Sequence, residues 1–133
     1  MDETARILFA NEAFYAAFAA ADMTAMEAMW ARELPVSVIH PGAGLVTGRR
    51  EVLDSWAAIL KGVASFDITF RQPVARSWGE TATVLCYEKV GAHSLIATNI
   101  FGREGSDWLM LHHQSGPSPI WPDPDVTALD PVH

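Results

Sequence analysis

A chain of 133 residues, half of them hydrophobic, suits one domain around one core and is too short for two. Its net charge of −7, with nine Lys and Arg scattered along the chain, excludes a nucleic-acid surface, because phosphate recognition needs clustered cations. No apolar run approaches the ~20 residues that span a bilayer, Asp2 and Glu3 are the wrong charge for a signal peptide, and the single Cys86 cannot form an intrachain disulfide, so the expectation is a cytoplasmic protein without a membrane partner.

Helices come first. Ile7, Asn11, Phe14 and Phe18 fall on one helical stripe with Leu8 and Tyr15 beside it, while Glu3, Arg6 and Glu12 supply the polar face, which predicts an amphipathic helix over 3–20. A second, short helix follows, with Met23, Met26, Met29 and Trp30 spaced for one face. Asp22 can cap it, and Thr24 with Glu27 is a competing capping box. Pro35 ends it. Residues 36–40 read as a short apolar strand stopped by Pro41-Gly42. Gly48 then opens a third helix, in which Val52, Trp56, Ile59 and Leu60 share a face and Lys61-Gly62 closes the end.

From Phe66 the period changes to two. Phe66, Ile68 and Phe70 alternate with Asp67, Thr69 and Arg71, and Pro73 either shortens that strand or puts it at a sheet edge. Residues 81–89, 93–103 and 108–115 supply three more strands, divided by Gly91 and by the polar turn 104–107. The predicted order is ααβαββββ. In the last three strands both faces are substantially apolar, so the sheet needs two covers; the helices supply one, and a second copy of the sheet is the simplest other, which predicts a homodimer. Five of the eight prolines lie in 117–133, which therefore reads as a C-terminal arm, extended or partly disordered, after a domain spanning 1–116. Ile120 and Trp121 are candidate anchors for that arm.

The run Thr98-Asn99-Ile100-Phe101, a charged turn, then Trp108, His112-His113 and Ser115, resembles the last hairpin of the SnoaL-like, or nuclear-transport-factor-2-like (NTF2-like), superfamily. Further matching detail lies at Ile39-His40-Pro41-Gly42, Gly48 and Trp56. The resemblance implies an α+β fold in which a curved mixed or antiparallel sheet wraps N-terminal helices as a cone. The hairpin is also similar to the association domain of the calcium/calmodulin-dependent kinase II family, through the progression from Thr98 and Trp108 to His113 and Ser115-Gly116-Pro117. Arginines line the pocket of that family. The landmarks put Asn99, Gln114 and Lys89 at those places, which implies a pocket largely stripped of its anion-binding charge.

Strand parity gives a pocket independently. If the 104–107 turn sets Phe101 near Trp108, then Asn99 lies near Met110 and Ala97 near His112 on one face, joined by Leu85 and Tyr87 through the Gly91 turn. The expected cavity is mainly apolar, lined by Leu85, Phe101 and Met110, with Asn99, Gln114, His112 and Tyr87 as convergent polar groups and Trp56 at its side. His113, Glu88 and Thr98 then point outward, although a one-residue bulge would exchange the two histidines.

Each candidate has two readings. His112, aided by Tyr87 or His40, is the acid/base candidate, or else a hydrogen-bonded core histidine. His40 looks into the cavity mouth or caps a strand end. Asn99 and Gln114 bind ligand or pair with each other, and Trp56 wedges the third helix against the sheet with ligand contact secondary. Adjacent in a strand, His112 and His113 point to opposite faces and cannot chelate one ion, so neither metal nor cofactor is expected. Two functions follow: a pocket that binds a small organic molecule, or an isomerase, dehydratase or cyclase of the kind the resemblance implies, with pure dimerisation as a third use of the fold.

Overall fold

The computed structural model describes residues 2–123. Helix α1 (Glu3–Ala19) starts where Asp2 accepts the Ala5 N–H at 2.7 Å, and it buries Ile7, Ala10, Asn11, Phe14, Tyr15 and Ala17 along one stripe. Helix α2 (Met23–Met29) is capped by Asp22, which accepts the Ala25 N–H at 3.0 Å, so the Thr24–Glu27 alternative is not used. Strand β1 (Ser37–Ile39) is followed by β2 (Leu45–Thr47), which pairs back on it and was not anticipated; the order is ααββαββββ. Helix α3 (Arg49–Leu60) buries Val52, Trp56 and Leu60.

Four long strands complete the chain: β3 (Ile68–Trp78), β4 (Thr81–Val90), β5 (His93–Glu104) and β6 (Asp107–Pro117). They form one curved, unclosed sheet in the order β2-β1-β6-β5-β4-β3, in which β1 runs parallel to β6 and the other pairs are antiparallel. Two irregularities help it bend. In β3 the ladder slips between Arg71 and Val74, at Gln72 (φ 52°) and Pro73, and this strand is an edge, where a proline costs no central ladder bond. In β6 the pairing passes from Met110 to His112 across Ile100 and Phe101, leaving Leu111 as an extra residue.

The helices fill the concave side. Trp30, Trp56, Phe14, Phe101, Met110 and Val84 are fully buried between the helices and the sheet, and each large side chain removed from water contributes about 1.5–3 kcal/mol before entropy is counted. Gly102 leaves room for the bulge, since a Cβ there would fall 2.8 Å from Leu111 Cδ1 and 2.9 Å from Leu34 Cδ1. At the end of β5, the Glu104 carboxylate accepts the N–H groups of Arg32, Glu33 and Leu34 and so ties the link after α2 to the sheet; those bonds, the Leu34 N–H foremost, hold its carboxyl below the usual range.

The start of the arm is fixed to the body. The Ser118 N–H donates to Ser94 O at 2.9 Å, the Trp121 ring lies 4.3 Å from the Arg71 guanidinium, and that guanidinium donates to Pro122 O at 2.7 Å. The rest of the expected arm lies outside the described residues. On the convex face Leu85 and Ile96 remain 42% and 47% exposed. Among the described residues no helix is long and apolar enough to cross a membrane.

Candidate functional site

Turn length decides which side chains enter the cone. The β4–β5 turn contains only Gly91 and Ala92, because Val90 pairs with His93, so even positions of β4 face the same way as odd positions of β5. Cys86 therefore opposes Ala97 and Glu88 opposes Leu95 on the concave side. The β5–β6 turn is equally tight, with Glu104 opposite Asp107 and Gly105 at φ 65°, and Phe101 meets Met110. Below the Leu111 bulge the parity reverses, and His113, not His112, stands opposite Asn99.

These registers deliver a buried polar network. Asn11 and Tyr15 reach it from α1, Cys86 and Glu88 from β4, Asn99 from β5 and His113 from β6. Tyr15 donates its hydroxyl proton to Glu88 Oε2 in a short hydrogen bond, and the same hydroxyl is 3.4 Å from Cys86 Sγ. With that proton spent, the Asn99 atom 3.2 Å from the Tyr15 oxygen must be the amide NH₂, which also donates to Asn11 Oδ1 at 2.8 Å. Asn99 Oδ1 then faces His113 Nδ1 at 2.6 Å and can only accept, so Nδ1 carries the proton and the neutral ring keeps a bare Nε2. That nitrogen stands 3.9 Å from Glu88 Oε2, beyond hydrogen-bond length.

Burial pushes the titratable groups of this network toward their neutral forms. It raises the Glu88 carboxyl, an effect partly offset by hydrogen bonds from Tyr15 and Ser115, and lifts the Tyr15 hydroxyl well above its ordinary value. It lowers His113 to about 3, with repulsion from His40 and His112 added, and pushes the Cys86 thiol up to about 12. The thiol is therefore inert.

Glu88 and His113 also line a cavity of about 850 Å³, whose walls come from α1, α3 and the sheet and from the turn after β4. Phe18, Ile59, Phe66, Val90 and Leu95 give it apolar walls. His40, His93, Ser94, Ser115 and Ser118 add polar groups, and no Lys or Arg is among its lining residues. His40 is held by Ser55, whose hydroxyl donates to Val52 O at 2.7 Å and so must accept from His40 Nε2–H at 3.0 Å, leaving Nδ1 of that ring as the acceptor. Among the described residues no three His, Cys, Asp or Glu side chains gather into a metal-holding group.

The residues predicted from sequence divide between the two faces. Asn99, Phe101 and Met110 do face inward and are buried, though they pack behind the cavity, and His40 is on its wall. Trp56 is buried too, edge-on to Phe18, with ring centroids 4.8 Å from His40 and 5.8 Å from His113, so it backs both histidines. The expected inward placing of Leu85, Tyr87, His112 and Gln114 is corrected by the two-residue Gly91-Ala92 turn and the Leu111 bulge, which put all four on the convex face. There His112 Nδ1 meets Ser37 Oγ at 2.6 Å and its Nε2 meets Gln114 Oε1 at 2.7 Å. The outward placing of Glu88 and His113 is corrected by the same geometry.

Glu88, Tyr15 and Asn11 were not among the sequence candidates. Their signal was present: Asn11 and Tyr15 sit on the apolar stripe of α1, and Glu88 continues the run Ala82, Val84, Cys86, where an ionisable group among buried apolar positions marks a site.

The comparisons agree with this architecture. Residues 7–120 match the SnoaL-like domain family. Among solved structures, a candidate dehydratase of the NTF2-like family from Streptomyces avermitilis superposes with a TM-score of 0.80 at 27% identity, over 89% of this chain and 97% of that one. A candidate calcium/calmodulin-dependent protein kinase type II association domain from Thiobacillus denitrificans gives 0.73 at 28% identity, over 82% and 92%. The F-box protein SKIP8 of Arabidopsis thaliana is 27% identical over 84% of this chain, which spans about half (49%) of that relative's length. With the match running from α1 to the start of the arm, and the same cone of helices and sheet beneath it, the chain belongs to the SnoaL-like domain family and has the NTF2-like fold.

Proposed function

We propose that this protein binds a small organic molecule in the cavity and moves a proton on it, with Glu88 as the acid/base. One observation carries the reading: a carboxyl group, raised in pKa by burial, stands on the wall of a mainly apolar cavity beside a bare imidazole nitrogen. A carboxyl tuned upward is suited to take a proton from carbon beside a carbonyl and to give one to a departing hydroxyl, which leaves as water. Tyr15 holds Glu88 in place, and His113 Nε2 accepts a hydrogen bond from the substrate. The likeness to a candidate dehydratase at 27% identity supports the same class. His112 has no part in this scheme, because it lies on the convex face.

The test is deuterium uptake. Protein in D₂O is incubated with a panel of cyclic ketones and β-hydroxy ketones, and mass spectrometry follows deuterium entering, or water leaving, each compound. Turnover by the native protein that Glu88→Gln abolishes while retaining ligand binding is the expected result. If native mass spectrometry finds a tightly bound molecule that neither protein alters, the cavity binds without catalysis, a reading that the low basicity of His113 favours.

We also propose that a second copy covers the convex face. Leu85 and Ile96 are exposed there, and the likeness to an association domain at 28% identity supports a role in assembly.

A further inference from the structure

We propose that the ligand is an uncharged organic molecule recognised through a hydroxyl group that donates its proton to His113 Nε2. This rests on the cavity being a ligand site, and it adds what that ligand must carry.

The polarity of the cavity floor is set from behind. Asn99 Oδ1 takes the His113 Nδ1 proton, and Asn99 is itself held by its two donations to Asn11 and Tyr15. The imidazole is therefore locked in one tautomer, and the nitrogen left for the cavity offers a lone pair and no proton. Glu88 Oε2 beside it already receives the Tyr15 hydroxyl. At the mouth, Ser55 fixes His40 the same way, with its proton spent on Nε2. His113 is 98% out of solvent and lines the cavity, so its Nε2 is an acceptor within reach of a bound ligand, with Glu88 Oε2 3.9 Å away. A lone pair that faces a mainly apolar cavity gains a partner when a ligand O–H enters.

Charge is excluded by the surroundings. No Lys or Arg lines the cavity to hold an anion, and an anionic oxygen would face the lone pairs of His113 and Glu88. Burial moves His40, His113 and Glu88 each toward its neutral form, and the same desolvation opposes a charged ligand of either sign. The apolar walls then take the body of the molecule.

Three probes of one shape decide it: naphthol, methoxynaphthalene and naphthoate, titrated by calorimetry into unfolded-and-refolded protein freed of any carried ligand. Naphthol should bind roughly tenfold or more tighter than its methyl ether, and naphthoate should bind weakest. In His113→Phe the preference for naphthol over the ether should vanish; if that variant does not fold, ¹⁵N spectra of the native protein decide, since naphthol should shift the His113 Nε2 resonance and its methyl ether should not, and equal shifts with both overturn the inference. Equal binding of naphthol and its ether, or tighter binding of naphthoate, overturns this inference and leaves the cavity a ligand site. Failure of all three to bind overturns the site itself, and this inference with it.

Discussion

Asn99 Oδ1 lies 2.6 Å from His113 Nδ1, and this contact fixes which nitrogen of the histidine faces the cavity. Replacing Asn99 by Ala strands the Nδ1–H and removes the donor to both Asn11 and Tyr15. A loss of about 1–3 kcal/mol of stability for each buried group left unpaired is expected, read from denaturant unfolding. The variant should also lose its fixed tautomer, giving mixed Nδ1–H and Nε2–H signals in ¹⁵N spectra where the native protein gives one.

Tyr15→Phe removes the proton donated to Glu88 while leaving the ring stacked on Phe70, whose centroid is 4.7 Å away. That hydrogen bond lowers the Glu88 pKa against the larger effect of burial, so its loss should raise the value further. A ¹³C titration of the Glu88 carboxyl in the two proteins measures the shift. Stability should fall by about 1–2 kcal/mol, as for a buried hydrogen bond lost without a new cavity.

The shifts of His113 and Glu88 act oppositely on stability. His113 falls from 6.5 to about 3 on folding, so between those values the unfolded chain binds the extra proton and stability declines as pH drops from about 6.5 toward 3. His40, also lowered, adds to the same decline. Glu88 is raised above 4.5, so its contribution is lost as pH climbs through its folded value. Calorimetric Tm values should show an acid limb between about pH 6.5 and 3 that flattens in His113→Gln, and a decline as pH climbs above 4.5 that flattens in Glu88→Gln. Limbs of unchanged slope in both variants would contradict the assigned burial.

Association through the convex face predicts that Ile96→Lys weakens a dimer without unfolding the monomer, because Ile96 is 47% exposed and its replacement costs little in the core. Native mass spectrometry at micromolar protein should give a dimer for the native chain and a monomer for the variant. A native monomer at high concentration would remove the second cover.

Much of the fold was legible because apolar spacing survives folding directly: the α1 stripe, the Val52–Trp56–Leu60 face and the last three strands formed where the pattern put them, while β3 begins at Ile68 rather than Phe66 and continues past Pro73 to Trp78 because it is an edge strand. Strand β2 was missed because three residues between Gly44 and Gly48 are too few to show a period. The site failed for a different reason. Inside and outside exchange with a single residue, and neither the two-residue Gly91-Ala92 turn nor the Leu111 bulge is marked by periodicity when both faces of the strands are apolar. Gly102 was the available clue, since a glycine in mid-strand often marks a bulge opposite it. The same ambiguity hid Glu88, whose buried place follows only once Cys86 and Val84 are known to face inward.

Long-range ¹H–¹⁵N NMR of His113 at neutral pH, before and after naphthol is added, tests the tautomer and the ligand contact together. The free protein should show a neutral Nδ1–H ring, and naphthol should change Nε2 alone as its hydroxyl donates to it. A proton on Nε2, an imidazolium, or a resonance that ignores every ligand entering the cavity would contradict these assignments.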